Sequence, residues 1–90
     1  MTDLIDTNFK QSIELVKNYV NNINTTEKTF LYKYYKQATF GDVNISKPTG
    51  LFNITDKQKW EAWNSVKGTT KNDAKKIYSD FVNTLKTKYN

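Results

Sequence analysis

The strongest constraint on the fold is that apolar residues recur at helical spacing along most of the chain. In the first quarter of the sequence they lie three or four positions apart, at Ile5, Phe9, Ile13, Val16, Val20 and Ile23. A similar series follows near the end, at Ala74, Ile77, Tyr78, Phe81, Val82 and Leu85. An α-helix has about 3.6 residues per turn, so each series forms one apolar face. No segment alternates with the period of a strand, and the sequence therefore predicts an all-α protein.

Capping residues set the ends of the first two predicted helices. Thr2 or Asp3 can cap helix 1, which we predict over residues 3–20. Asn24, with a glutamate three positions later, is typical of an N-cap and starts helix 2, which we predict over residues 25–40. The glycine that follows residue 40 favours a helix end there, because glycine adopts a left-handed backbone at little cost.

Similar signals bound the last two predicted helices. Thr55, three positions before a glutamine, indicates a capping box for helix 3, predicted over residues 55–67. Gly68 then lies where a residue that ends a helix is expected. Thr70, three positions before an aspartate, starts helix 4, predicted over residues 70–88.

The connection between helices 2 and 3 is unusually long for a chain of 90 residues. Residues 41–54 contain Gly41, Pro48 and Gly50 and show no sustained hydrophobic period. Helices 2 and 3 therefore need not be antiparallel neighbours. Chain length and helix number together predict one domain over residues 1–90, folded as a four-helix bundle.

Charge and composition narrow the possible functions. The net charge is +5, and all 14 basic residues are lysines. This balance favours an anionic partner, whereas the lack of arginine argues against sequence-specific DNA recognition. The chain has no cysteine and no histidine, which removes the usual nucleophile, general base and metal ligands. The sequence therefore predicts a protein that is not an enzyme and that holds no metal.

The first residues and the hydropathy of the chain bear on its location. The N-terminus is acidic and has no long apolar segment of the kind found in secretory signals, and no run approaches the length of a membrane span. We therefore expect a soluble, cytoplasmic protein.

One face of predicted helix 2 is the first candidate binding site. About one quarter of the helix circumference carries Lys28, Tyr32, Tyr35 and Lys36, whereas Lys33 projects away from this face and is predicted to be solvated. Aromatic rings can stack on a nucleobase, and lysines can neutralise a phosphate beside it. The same pattern also fits the edge of a core that lysine stems shield from water. Spacing alone favours neither interpretation.

Three further residues attract attention by their positions. Lys59 shares an arc of helix 3 with Trp63, so its charge needs an anionic partner, a cation–π contact or a path to solvent. Lys17 borders the apolar face of helix 1. Tyr78 lies at the centre of the apolar face of helix 4, where a core role is expected, although its hydroxyl needs a polar partner.

Two motifs resemble those of a known family. Residues 35–42 are YKQATFGD and residues 59–64 are KWEAWN, followed by Lys67, Gly68 and Thr69. Over nearly all of its length the chain resembles the acyl-CoA-binding protein family. The resemblance implies a four-helix bundle with an up-down-down-up course, which the long connection between helices 2 and 3 fits.

The resemblance also implies a function. Members bind medium- to long-chain acyl-CoA thioesters without chemistry on the ligand, and they carry and store them inside the cell. We accordingly expect a monomer with a small-molecule ligand, no further cofactor, no nucleic-acid partner and at most transient membrane contact.

The resemblance implies six ligand-binding residues, namely Lys17, Tyr32, Tyr35, Lys36, Lys59 and Tyr78. Tyr35 is expected against the adenine, and Lys36 and Lys59 on the 3′-phosphate, with Tyr32 hydrogen-bonded near that phosphate. Lys17 is expected near the nucleotide, and the helix 4 tyrosine near the adenine and pantetheine. Two departures are local: Lys28 occupies a position that is often apolar in the family, and the segment of residues 48–60 is one residue longer.

A second class of function stays open on the residues alone. A lysine-rich helical module that binds nucleic acid or an acidic membrane would explain the net charge and the aromatic residues. It would not explain why tyrosines and lysines share defined positions on helices 2 and 3.

Overall fold

The computed structural model describes residues 3–50 and 54–90, and four α-helices account for most of them. Their bounds are Leu4–Val16 (α1), Thr25–Phe40 (α2), Ile54–Ser65 (α3) and Lys71–Tyr89 (α4), and a short 3₁₀ helix, Lys17–Tyr19, continues α1. Within the described residues there is no strand. The predicted all-α class is confirmed.

Side-chain caps fix the start of three helices as the sequence predicts. The Asp3 carboxylate accepts a hydrogen bond from the backbone N–H of Ile5 at 3.0 Å. At α2, the Asn24 side chain accepts from the N–H of Glu27, and the Glu27 carboxylate accepts from the N–H of Asn24 in return. Thr70 caps α4 in the same way. Thr2, the other candidate cap for α1, lies outside the described residues.

Three predicted helix boundaries differ from the observed ones. The α-helical part of helix 1 ends at Val16 rather than near residue 20, because the last turn tightens to 3₁₀ geometry. Helix 3 begins at Ile54, so Thr55 lies inside it and is not its cap. That helix also ends at Ser65, and a turn leads to Gly68, which has a φ of 93° and takes the left-handed backbone expected of it.

Contacts between helix ends give the direction of α1, α2 and α4. Lys75, near the start of α4, forms an ion pair with Asp6, near the start of α1, so these two helices run in the same direction. Lys88, at the end of α4, pairs with Glu27 at the start of α2, with 2.9 Å between Nζ and Oε2. Helix α2 is therefore antiparallel to α4.

Helix α3 runs in the same direction as α2. Lys59, in the first half of α3, lies over the ring of Tyr32 in the middle of α2. Trp63, one turn later, faces Phe40 at the end of α2, with 6.2 Å between the ring centroids. The course is therefore up, down, down, up, and the long connection is needed to bring the chain back to the start of a parallel neighbour.

Buried residues from α1, α2 and α4 form the core, namely Phe9, Leu31, Ala38, Ala74, Tyr78, Val82 and Leu85. In the described part of the chain, α3 packs against α2 but not against α1 or α4. Its main anchor is the indole of Trp63, which is 3% exposed. Helix α2 is thus shared between the core and α3, and the remaining part of its surface is free for a site.

A buried carboxylate fastens the start of α2 to the end of α4. Glu27 accepts hydrogen bonds from the Lys88 ammonium and, at 2.6 Å, from the Tyr89 hydroxyl, besides the backbone N–H of Asn24. These three donors, Lys88 first, lower the pKa of Glu27 to about 2. The carboxylate therefore stays ionised at any physiological pH.

The other end of α2 is held by Gln37, which is fully buried. Its amide nitrogen donates to the carboxylate of Asp42 at 2.8 Å and to the carbonyl of Thr69, in the loop before α4, at 2.7 Å. The same Asp42 oxygen accepts from the backbone N–H of Gly68, and this bond, with that of Gln37, lowers the pKa of Asp42. We call Gln37, Asp42, Gly68 and Thr69 the α2 clamp.

Both tryptophans of α3 add hydrogen bonds next to the α2 clamp. The Trp63 indole N–H donates to the carbonyl of Gly41 at 2.8 Å, and that of Trp60 donates to the carbonyl of Ile45 at 2.7 Å. The YKQATFGD and KWEAWN motifs therefore meet in space, and a large part of their chemistry is structural. No helix in the described ranges is both long and apolar enough to cross a membrane.

Replacing Gln37 with Met tests the α2 clamp. Methionine keeps the shape but removes the amide, leaving the Thr69 carbonyl without its partner and Asp42 with one fewer donor. We expect a loss of about 1–3 kcal/mol in the free energy of unfolding, measured by urea denaturation. Gln11→Met, at an exposed position on α1, is the control and should change stability by no more than about 0.5 kcal/mol. Equal losses in the two variants would show that the clamp stabilises nothing.

Candidate functional site

Two grooves flank the free surface of α2. The first, which we call the apolar groove, has a volume of about 380 Å³ and is lined by Val16, Lys17, Val20, Ile23, Lys28, Leu31, Tyr32, Tyr35 and Tyr78. The second, the α2–α3 groove, has a volume of about 420 Å³ and is lined by Thr25, Lys28, Thr29, Tyr32, Thr55, Gln58, Lys59 and Ala62. Lys28 and Tyr32 line both. They are one helical turn apart on α2 and form the ridge between the two grooves.

Tyr35 and Tyr78 line the apolar groove, and the ring of Phe9 packs against both. Tyr78 is only 4% exposed, and its ring lies edge-on to Phe9 with 5.2 Å between the centroids. Burial, and to a smaller extent the neighbouring Tyr35, raise the pKa of Tyr78 to about 12. Tyr35 is 39% exposed, and its ring is 6.4 Å from that of Tyr78. The buried phenol is thus a permanent hydrogen-bond donor, and the outer ring has a surface on which a flat group can stack.

Tyr32 and Lys59 face each other across the α2–α3 groove. The Lys59 ammonium lies 5.7 Å from the centroid of the Tyr32 ring. Partial burial, followed by the charge of Asp56, raises the pKa of the Tyr32 phenol, so it stays protonated. An anion between these two residues could accept a hydrogen bond from the phenol and a charge-assisted one from the ammonium. The sequence left solvent, a cation–π contact with Trp63 and an anion open for Lys59. The ring that it contacts is Tyr32 instead, and because Lys59 is exposed, its position is compatible with both solvent and an anion.

Lys36 lies apart from both grooves. Its ammonium sits over the rings of Phe40, at 4.3 Å, and Trp63, at 4.8 Å. Lys36 lies on α2 one turn beyond Tyr32, as the helical wheel predicts. Its side chain, however, points toward the end of α2. A rotation toward Tyr32 would give up contacts worth about 0.5–1 kcal/mol each at exposed sites.

Lys17 lines the apolar groove at its outer edge. It forms an ion pair with Glu14, one turn earlier, with 3.1 Å between Nζ and the carboxylate, and both side chains are largely exposed. Exposed pairs of this kind contribute at most about 1 kcal/mol, so a phosphate could displace the glutamate readily.

Part of the apolar groove was missed in the sequence. Val16 and Ile23 belong to a helical series that predicts core residues and do pack against the core, but together with Val20, which is 54% exposed, they also line the groove. A signal was present only at Ile23, which lies beyond the predicted end of helix 1 at residue 20.

Lys33 also differs from its predicted position. It is half-buried rather than solvated, with its ammonium 5.2 Å from the centroid of Phe30 and 5.6 Å from that of Tyr34. Phe30 and Tyr34 themselves are only partly buried, because they cover the outside of the α2–α4 contact. Lys33 is therefore unsuitable as an inert control for charge removal.

The fold and the grooves define a class of protein: a small helical binding protein whose site combines aliphatic surface with phenols and ammonium groups. Comparison with known proteins narrows the class. The family model described as acyl CoA binding protein matches residues 6–82. Acyl-CoA-binding protein 2 of Saccharomyces pastorianus is 42% identical over 81 residues, covering 90% of this chain and 92% of that protein. The acyl-CoA-binding protein of Saccharomyces cerevisiae is likewise 42% identical over 81 residues, covering 90% and 92% of the two chains.

Solved structures agree with the sequence comparisons. The crystal structure of acyl-CoA-binding protein 2 from Oryza sativa superposes with a TM-score of 0.87 at 36% identity, covering 93% of this chain and 92% of that one. The crystal structure of the protein from Moniliophthora perniciosa gives 0.83 at 38% identity, covering 98% and 83%. The chain belongs to the acyl-CoA-binding protein family. The predicted family is thereby confirmed, as is the prediction of a binding protein rather than an enzyme.

Lys59→Met separates a ligand-binding lysine from a structural one. Methionine keeps the length and helix propensity, so the free energy of unfolding should change by no more than about 0.5 kcal/mol. If Lys59 contacts phosphate, its removal should weaken the binding of palmitoyl-CoA by about 1.5–3 kcal/mol, or roughly 10- to 150-fold in affinity. Calorimetry measures this change.

The control for Lys59 is Lys76→Met, an exposed lysine on α4 that lines neither groove. It removes the same charge and should leave affinity nearly unchanged. If Lys59→Met bound normally and unfolded at lower urea concentration, Lys59 would be a scaffold residue.

Proposed function

We propose that the protein binds medium- to long-chain acyl-CoA thioesters and carries and stores them without chemical change. One observation carries the proposal: aliphatic surface lies directly beside phenols and ammonium groups, and Lys28 and Tyr32 join the two environments. An acyl-CoA has the matching division into an alkyl chain and a phosphorylated nucleotide. The family to which the chain belongs, and the names of its relatives, support the same ligand.

The nucleotide half of the ligand is assigned to α2 and α3. Tyr35, the exposed ring beside Tyr78, stacks on the adenine. Lys59 and the Tyr32 phenol bind the 3′-phosphate, a dianion for most of the time at neutral pH. Lys36 joins them after leaving its aromatic neighbours. The hydrogen bond that Lys36 gains with the phosphate offsets the loss of its cation–π contacts, because a charge-assisted hydrogen bond is stronger than an exposed cation–π contact.

Two further residues complete the proposed set. Lys17 exchanges its exposed pair with Glu14 for the nucleotide's phosphates. Tyr78 donates its hydroxyl near the adenine and pantetheine, and its pKa of about 12 keeps that proton in place throughout the physiological range.

We also propose that residues 1–90 act as one acyl-CoA-binding domain, monomeric and cytoplasmic. No cofactor is needed beside the ligand, nucleic acid is not a partner, and contact with membranes is transient. The rival function, a lysine-rich module for nucleic acid or acidic membranes, uses the net charge of +5 but gives no role to the apolar groove.

Calorimetric titration of matched ligands tests the proposal. Each buried methylene contributes up to about 0.8 kcal/mol, so two carbons should tighten binding by as much as about tenfold until the groove is filled. Removing the 3′-phosphate from palmitoyl-CoA should weaken binding about tenfold or more. A single-stranded oligonucleotide serves as the comparison for the rival. Equal affinity for free CoA and palmitoyl-CoA would refute the carrier function.

A further inference from the structure

The α2–α3 groove differs from the apolar groove in the kinds of side chain that line it. Ala62 is its one purely aliphatic lining residue, whereas the apolar groove has Val16, Val20, Ile23 and Leu31. The other lining side chains of the α2–α3 groove end in polar groups: Thr25, Lys28, Thr29, Tyr32, Thr55, Gln58 and Lys59. Their carbon atoms nevertheless make up most of the groove surface. Such a wall fits a chain of methylenes that itself carries a polar group.

Lys28 is the cation best placed to meet that polar group. It is exposed and lies on the ridge between the two grooves, one turn from Tyr32. In the part of the chain that the structure describes, its ammonium has no ion pair, hydrogen bond or aromatic ring, whereas Lys17 pairs with Glu14 and Lys59 lies over Tyr32. Lys28 is also in the first turn of α2, where the helix dipole disfavours a cation. The protein thus keeps an unpartnered charge at a position that costs stability.

The position of Lys28 matters because it lies between a groove lined by aliphatic side chains and one lined by side chains that end in polar groups. A fully apolar acyl chain that crosses the ridge gains nothing from the ammonium and passes it only because lysine can extend into solvent. A carboxylate on the chain gains an ion pair there, with the hydroxyls of Thr25 and Thr55 in the same groove as further donors, whereas that of Thr29 already donates to the carbonyl of Thr25. In a wholly apolar groove the same carboxylate would lose its hydration without compensation.

We propose that Lys28 is a specificity-determining residue that adapts the site to acyl-CoA esters whose acyl group carries a carboxylate, such as the thioesters of long-chain dicarboxylic acids. This inference rests on the proposed function. The ammonium of Lys28 binds the distal carboxylate at the Thr25 end of the α2–α3 groove, one helical turn from Tyr32, which binds the 3′-phosphate together with Lys59.

The test compares palmitoyl-CoA with hexadecanedioyl-CoA, which has the same chain length and a terminal carboxylate, by calorimetry. Lauroyl- and dodecanedioyl-CoA provide a second length. The measured quantity is the ratio of the two dissociation constants within each pair. In Lys28→Met the dicarboxylic ester should lose about 5- to 30-fold in affinity relative to the monocarboxylic ester of the same length, in at least one pair. This is the range expected for one ion pair in a partly exposed site. Lys28→Arg keeps the charge and should preserve the ratio.

Two controls complete the design. Lys76→Met, on α4 and outside both grooves, removes an equal charge and should leave the ratio unchanged. Urea unfolding should show that Lys28→Met is as stable as the unaltered protein or more so, because a cation leaves the positive end of α2. Raising the salt concentration should narrow the preference in the unaltered protein but not in Lys28→Met.

The outcomes separate the two proposals. A ratio within twofold of the unaltered protein in Lys28→Met, at both lengths, would overturn the inference while leaving acyl-CoA binding intact. Equal weakening of free CoA, palmitoyl-CoA and hexadecanedioyl-CoA would also overturn it, because Lys28 would then contact the phosphates. If the unaltered protein bound no acyl-CoA at all, the proposed function itself would fail, and this inference with it.

Discussion

The α2 clamp is the constraint on which the rest of the structure depends. Helix α3 packs against α2 and, among the described residues, against no other helix, so its position relies on what holds the end of α2. Gln37 joins that end to the loop before α4 through Asp42 and Thr69, and Trp63 joins α3 to Gly41 at the same place. These bonds are buried or partly buried, where an unmade bond is costly. One small network therefore sets the distance between α2 and α3, and with it the width of the α2–α3 groove.

Helix α2 is the element that makes a site possible. One side of it packs in the core through Leu31 and Ala38, and another carries α3, so a third is left facing outward between α1 and α3. Glu27 fixes its start and Gln37 fixes its end, both by buried polar contacts that do not use the outward side. The outward side can therefore hold tyrosines and lysines without loss of stability elsewhere. Because different sides of α2 carry the structural contacts and the candidate site, a chain of this length has two open grooves beside a small core.

Much of this arrangement is visible in the sequence because it depends on local rules. Helical period and the caps Asp3, Asn24 and Thr70 predict the number, type and approximate extent of the helices. The end of α1 and the start of α3 are not predictable in this way, because 3₁₀ tightening and a competing start signal at Thr55 change the boundaries.

The site is only partly predictable for a different physical reason. The helical wheel gives the direction of a Cα–Cβ bond, so it places Tyr32 and Lys59 each on one face of its own helix. That the two residues face each other follows from the packing of α3 on α2, and the sequence indicated it only through the family resemblance. It does not give the rotamer of a long side chain, and Lys36 turns to aromatic rings beyond its own arc. The burial of Gln37 depends on a partner 32 residues away, which no local pattern contains. The binding of acyl-CoA in the two grooves is tested most directly by mapping amide chemical shifts during titration with palmitoyl-CoA. We expect changes concentrated in residues 16–23, 28–36 and 55–62, with 1:1 saturation and little change at Asn8 and Ser79 on the opposite α1–α4 surface. Changes that were largest on that opposite surface would contradict binding in the grooves.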